Sequence, residues 1–416
     1  MRRIVMLAAP LLLLLGACAS AAEDRSAVVR EQRGDTLVLR ISGRGTWGDA
    51  ARLARAEVFG EADGTDTTTL GQIIALAGGP DGRIYATDGQ RLAVRVFDAE
   101  LRPIALWGRV GSGPGELRNP DGGLAVFSDG RVAVRDPGNA RMQIFAPDGS
   151  AAGAWRVVDA GLRTRNNFGV QGDTLLSRVV VNAEGPIDAW EYGLARIAPN
   201  GEVLDTLATP VASAPRPTLV ARRGGNTAEF PLPFSAGASW AWHPVGGFAT
   251  TEGDRYAITW PQAEGLLRVE RVVAAIPVSA AEAAQERAHL TKGMQWLDPA
   301  WTWTGPDIPK EKPFVSQLFV GRDGSVWVLR EGDAVDGDDP DYDPRDASSV
   351  ERRLKSRLSF DVFTAEGEFL GALAVPAGLQ LRPQPVFSVR DVVALELDAT
   401  GVPRIVRYRV ETPAVR

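Results

Sequence analysis

Three kinds of side chain in this sequence have types and spacing that could do chemistry: crowded carboxylates, clustered tryptophans and a solitary cysteine. The carboxylates are Glu331, Asp333, Asp336, Asp338, Asp339, Asp341, Asp343 and Asp346. Alternation at Asp339, Asp341 and Asp343 could gather oxygen ligands around calcium, a hard cation that takes about six to eight of them. A helix–loop–helix calcium loop needs Gly at its sixth position and Glu at its twelfth. Counted from Asp339, those places hold Pro344 and Val350. The stretch therefore reads as a solvated acidic loop paired with Arg352, Arg353 and Lys355. Calcium on Asp339, Asp341 and Asp343 is the weaker reading, and no other cofactor is expected.

The tryptophans fall in two groups, Trp240, Trp242 and Trp260, then Trp296, Trp301 and Trp303. Trp240 and Trp242 flank Ala241, so on a strand they share one face. Such rings either pack a core or line a pocket for a sugar, a peptide or an aromatic ligand. The first group reads as packing. Trp296, Trp301 and Trp303 stay open between packing and ligand binding, and Arg165, Asn166 and Asn167 join them as candidate ligand contacts. Histidine chemistry is nearly excluded, because the chain has only His243 and His289. No G-x-S-x-G nucleophile turn is present. Gly108–Gly115 lacks the Lys-Ser/Thr of a phosphate loop and reads as a connector. No residue is assigned a catalytic role.

Cys18 is the only cysteine, so no disulfide can form within the chain. It follows two arginines, Arg2 and Arg3, and an apolar run Ile4–Leu15, the layout of an export signal. Leu15-Gly16-Ala17-Cys18 resembles the bacterial lipobox, in which the cysteine at the cleavage site is lipid-modified. That resemblance implies a signal peptide over 1–18 and lipid attachment at Cys18. Ala19, in place of the aspartate associated with inner-membrane retention, implies the periplasmic side of the outer membrane. The formal net charge of −6 offers no basic footprint for nucleic acid. The lipid would be the only membrane contact, and a monomer is expected.

These side chains must be positioned by a repeat. One turn series reads Asp81-Gly82, Asp129-Gly130, Gly172-Asp173, Gly246-Gly247, Asp323-Gly324 and Arg390-Asp391. A second reads Asp98–Leu101, Ala146–Gly149, Ala198–Gly201, Pro261–Gly265, Thr364–Gly367 and Asp398–Gly401. The two series interleave between short apolar runs, the pattern of antiparallel strands joined by tight turns. Radial repetition of such units hides sheet edges. The expectation is an all-β, six-bladed β-propeller of four-stranded antiparallel blades. The sixth unit shows only three strands, so Thr36–Ser42 (TLVLRIS) is expected to close the ring from the N-terminal side. Ala50–Phe59 reads equally as a helical turn or a strand.

A leader or tether is expected over 19–35 and a single propeller over 36–412, with insertions at 208–234, 279–313 and 331–357. In the second insertion Ser279 and Glu282 form a capping box that predicts one short helix, Ser279–Lys292. In the third, a basic helix is expected over Ser348–Arg357.

Within the second unit, Gly113-Pro-Gly-Glu116, Pro120, Asp129-Gly-Arg-Val132, Asp136, Asn139, Arg141 and Phe145 fall where the NHL repeat places such residues. The chain resembles the NHL-repeat six-bladed propellers, and the wider group of bacterial propeller lipoproteins. The match is good over Gly71–Trp155, recognisable near Phe314–Leu329 and Leu358–Leu373, and degenerate elsewhere. The resemblance implies a fold and no reaction. Some amidating lyases of the NHL group carry a three-histidine zinc site, which two histidines cannot build. The favoured function is a membrane-anchored, non-catalytic binding or scaffold module for a protein, peptide or glycan. The rival is a metal-dependent hydrolase or lactonase-like enzyme with its site in the channel.

Overall fold

The computed structural model describes residues 27–412 apart from 66–67, 157–167, 183, 185–190, 211–212, 214–215, 340–341, 347–348 and 399. Its strands form six antiparallel blades in a propeller ring. Blade one is built from Ile73–Gly78, Ile84–Asp88, Ala93–Phe97 and Pro103–Trp107. Blade two uses Leu124–Val126, Val132–Asp136, Arg141–Phe145 and Ala151–Trp155. Blade three uses Phe168–Gln171, Thr174–Asn182, Glu191–Ile197 and Val203–Ala208. Blade four uses Ser239–Trp242, Phe248–Thr251, Ala257–Pro261 and Leu266–Arg271. Blade five uses Gln317–Val320, Val326–Asp336, Leu354–Phe363 and Phe369–Ala374.

The turn chemistry explains the regularity. Gly82 and Gly130 both sit at φ 85°, a left-handed backbone that a side chain resists. The aspartate before each glycine accepts the amide N–H two residues on, as Asp81 does from Arg83 at 3.1 Å and Asp129 from Arg131 at 3.0 Å. The last member of the second turn series differs from the rest. Asp398–Gly401 joins the second and third strands of blade six, whereas the other five join third to fourth.

Ring closure corrects one expectation. Blade six consists of Val386–Phe387, Asp391–Leu397 and Pro403–Glu411, and its fourth strand is Arg52–Phe59. Arg52 pairs with Glu411 and Phe59 with Ile405. The fold is therefore closed by an N-terminal strand, but a different one from Thr36–Ser42. That segment instead runs parallel to Leu266–Arg271 on the outside of blade four, buries Val38, Leu39 and Ile41, and hairpins back to Ala27–Arg33. The region expected as a leader thus adds an outermost strand to a six-stranded sheet.

Two insertions associate. The hairpin Thr218–Arg223/Asn226–Pro231 packs Leu219 and Ala221 against Leu290 and Met294 of the helix Ala280–Leu297, with Trp301 and Ile308 completing a satellite core. The capping box forms as expected: Ser279 Oγ accepts from Glu282 N at 3.2 Å and Ser279 N donates to Glu282 at 2.9 Å. The helix extends past Lys292 to Leu297. Lys312, fully buried, ties this subdomain to blade five, pairing with Glu282 at 2.7 Å and donating to Gly332 O and Ser356 Oγ. The third insertion holds no helix among its described residues. It lengthens the two middle strands of blade five, with Asp336 paired to Leu354 in register and to Arg353 by charge at 3.1 Å. Of its basic run only Leu354–Arg357 is strand, and Arg352 and Arg353 precede it; Lys355 lies 3.8 Å from Asp339.

The core lies in the seams between blades, where alternate residues of each strand face one neighbour or the other. Buried apolar clusters bridge blades one and two, two and three, four and five, five and six, and six and one. Among the described residues, none bridges blades three and four.

Candidate binding channel

The inner strands of the six blades surround a cavity of about 700 Å³. Small residues keep it open, among them Ala75, Ala125, Gly169, Ala238 and Gly321. Its polar lining is Arg178, Arg322, Arg382, Gln317, Gln384 and Ser239, and its aromatic lining includes Trp240 and Trp242. No Asp, Glu, His or Cys is among the described residues that line it. In a chain of net charge −6, three guanidinium groups thus stand on the wall of one cavity with no acid among its described lining residues. Such walls focus the field and concentrate anions.

Each cation is positioned by a different blade. Arg382 and Gln384 are exposed, while the intervening Pro383 and the following Pro385 are buried, which anchors this segment ahead of the inner strand of blade six. Gln317 opens the inner strand of blade five, so it stands at the same mouth. Arg322 follows the end of that strand, at the opposite mouth. Its amide donates to Phe387 O at 3.0 Å and its guanidinium lies 3.6 Å from Asp391, itself held by Ser388 and Arg407. Arg178 sits on the second strand of blade three, one residue beyond the Phe168–Ser177 pair. Its guanidinium carbon is 4.0 Å from the ring centroid of Tyr192, and burial pushes its pKa below the ordinary value. A guanidinium starts so high that it keeps its charge.

The residues singled out from sequence are dispersed. Trp301 is buried in the satellite core, with its indole N–H donating to Val220 O at 2.9 Å. Trp303 packs edge-to-face on it at 6.2 Å, capped by Arg287 at 4.4 Å. Trp296 is 79% exposed on the helix. None of these three lines the channel. Arg165, Asn166 and Asn167 lie outside the described residues, as do Cys18 and Asp341. Asp339 accepts the amide of Arg352 at 2.8 Å and faces Lys355 at 3.8 Å. Asp343 is bonded to Arg345 at 3.0 Å. Among the described residues no three His, Cys, Asp or Glu side chains gather where a metal could sit.

Trp240 and Trp242, read from sequence as packing, face the cavity; Trp260, read the same way, is fully buried. Sequence reasoning did not single out Arg178, Arg322, Arg382, Gln317 or Gln384. Arg178 occupies the place of Arg135 in blade two: each lies three residues past the position paired with the end of the third strand, Leu175 with Ile197 and Val132 with Phe145.

Neither a scan of protein-family profiles nor a search of curated proteins finds a match to this chain. Solved structures with a similar arrangement include a protein from Bacteroides fragilis described as exported, 9% identical over 90% of this chain and all of that one, with a TM-score of 0.45. Virginiamycin B lyase from Staphylococcus aureus is 9% identical over 87% of this chain and all of its own, with a TM-score of 0.41. The calcium-binding protein regucalcin from Agrobacterium tumefaciens is 11% identical over 90% of this chain and 96% of its own, with a TM-score of 0.30. These likenesses are too remote to bear on activity, and the blade count rests on the strand pairings.

Proposed function

We propose that this chain is an exported binding propeller, anchored through Cys18 at the periplasmic face of the outer membrane, whose channel takes an anionic ligand of peptide or glycan chemistry without transforming it. The observation that carries this reading is the lining: Arg178, Arg322 and Arg382 reach one cavity from three blades, and no carboxylate is among its described lining residues. Charge-assisted hydrogen bonds from guanidinium groups suit carboxylate or phosphate oxygens. Gln317 and Gln384 add neutral donors and acceptors at one mouth. A channel-metal hydrolase needs oxygen ligands of the opposite sign, and here the wall offers amides and cations instead.

Titration calorimetry with an oligo-aspartate peptide and an oligo-galacturonate tests the proposal. The double variant Arg322→Gln, Arg382→Gln should weaken the bound one by about tenfold or more, with a shallower salt dependence. Unaltered anion binding in that variant, together with a stoichiometric divalent metal retained through dialysis, would instead establish the hydrolase reading.

A further inference from the structure

The cavity does not stop at the inner strands. Between blades three and four it reaches Leu176 on the second strand of blade three and Leu194 on the third. Both leucines are almost inaccessible to solvent, yet neither belongs to any of the buried clusters that seal the other seams. The wall that rises beside them is aromatic. Trp240 and Trp242 stand edge-to-face on Phe248, at 5.2 and 5.4 Å with interplanar angles of 81° and 89°. Gly169 makes room for this wall, since a Cβ there would lie 3.2 Å from Trp242 Cδ1 and 3.3 Å from Leu176. The indole N–H of Trp242 has no acceptor among the described residues. Arg178, on the same strand face as Leu176, places its charge at the rim of the crevice.

A cavity wall of two partly exposed indoles, floored by buried leucines and with a guanidinium at its rim, has the chemistry to hold a flat ring that carries a planar anion. We infer that this seam is a ligand subsite for an aromatic ring attached to a carboxylate. The inference rests on the channel-binding reading and specifies which anion the channel prefers. Two sources share that chemistry, a peptide ending in an aromatic residue and a free aromatic acid.

The test uses the full chain and four probes: the tetrapeptides Ala-Ala-Ala-Phe and Ala-Ala-Ala-Ala, 3-phenylpropionate and its amide. The ring and the carboxylate should each strengthen binding by about tenfold, read as Phe over Ala and acid over amide. Trp240→Ala should collapse the ring preference to about twofold or less, whereas Trp240→Phe keeps most of it. The peptide exceeding 3-phenylpropionate by about tenfold would identify a chain terminus, and equal affinities a free acid. A wild type indifferent to the ring, or a preference intact in Trp240→Ala, overturns the inference. Either result leaves the channel proposal to be decided by the Arg322 and Arg382 variant, so the two can fail separately.

Discussion

Blade four meets its two neighbours through faces that obey different physics. Towards blade five it presents Ile258, Trp260, Leu267 and Val269, which interlock with Val326, Val328 and Phe363 in one buried cluster. Several polar groups on that side are satisfied across the seam. Trp260 and Gln262 both donate to Ala365 O, at 2.9 and 2.8 Å, and Ser239 Oγ accepts the amide of Leu318 at 3.0 Å. Tyr256 and Arg271 donate to the buried Asp361, each at 2.7 Å. Towards blade three the same strands present Trp240, Trp242, Thr259 and Arg268, facing Leu176, Arg178, Leu194 and Arg196. There the charged groups pair within their own blades, Arg268 with Glu270 at 2.8 Å and Arg196 with Asp205. One sheet therefore carries a face locked to its neighbour and a face whose tryptophans line the channel, and a strand's two-residue period is what keeps them separate.

The contrast predicts unequal costs for removing the same side chain. Trp260 is fully buried and hydrogen-bonded across the sealed seam, so Trp260→Ala leaves a cavity and strips Ala365 O of a partner. Urea unfolding should register a loss of about 3–5 kcal/mol. A loss below about 1 kcal/mol would mean the seam relaxes around the hole and is not the rigid one.

A second difference lies in the protons. His243 is fully buried at the sealed seam, and both ring nitrogens are committed. Gly324 O can only accept, so Nε2, 3.0 Å away, carries the hydrogen. Nδ1 accepts the amide of Val245 at 3.3 Å, which fixes the neutral form. Protonating Nδ1 would set two donors face to face, and burial pushes the pKa below its ordinary 6.5. A depressed histidine pKa means that the unfolded chain binds protons first, so stability is full above 6.5 and declines as pH falls below it. His289 is shifted the same way, by burial and by Arg352. Unfolding measured at about pH 7.5 and about pH 5.5 should show the wild type weaker at the lower value, by less than the Trp260 effect. In His243→Gln much of that difference should vanish, and the slope left over belongs to His289. An unchanged slope would place the titrating group elsewhere and remove this distinction between the seams.

The sealed architecture was legible in the sequence because turns announce themselves locally. Asp-Gly pairs demand a left-handed residue, and the capping box at Ser279 and Glu282 needs only four consecutive positions. Closure was less legible for a physical reason. Arg52–Phe59 contains a register shift between Arg55 and Val58, which breaks the alternation and leaves Val58 exposed at 38%. Thr36–Ser42 is a plain apolar strand because it is backed by blade four, and such a run says that a strand exists without saying what it pairs with. The channel was the least legible part. Arg178, Arg322 and Arg382 are far apart in the chain and meet only because the ring closes. Trp240 and Trp242 share a sequence neighbourhood with Trp260, and only the direction each face takes separates lining from core.

The smallest expected effect is the most telling. Trp240 is as large as Trp260, but it is partly exposed to the cavity, and its ring contact is Phe248 of its own blade. An edge-to-face pair is worth about 0.5–1.5 kcal/mol beyond burial, and among the described residues no ring of a neighbouring blade packs on Trp240. Trp240→Ala should therefore cost about 1 kcal/mol in urea unfolding, with an unchanged m-value. That near-neutrality is what a ring held ready for a ligand would show, since its packing energy is still available for the partner that completes the slot. Should Trp240→Ala instead destabilise as severely as Trp260→Ala, the seam between blades three and four is sealed in solution. The comparison between the seams would then collapse, and the aromatic-acid subsite with it.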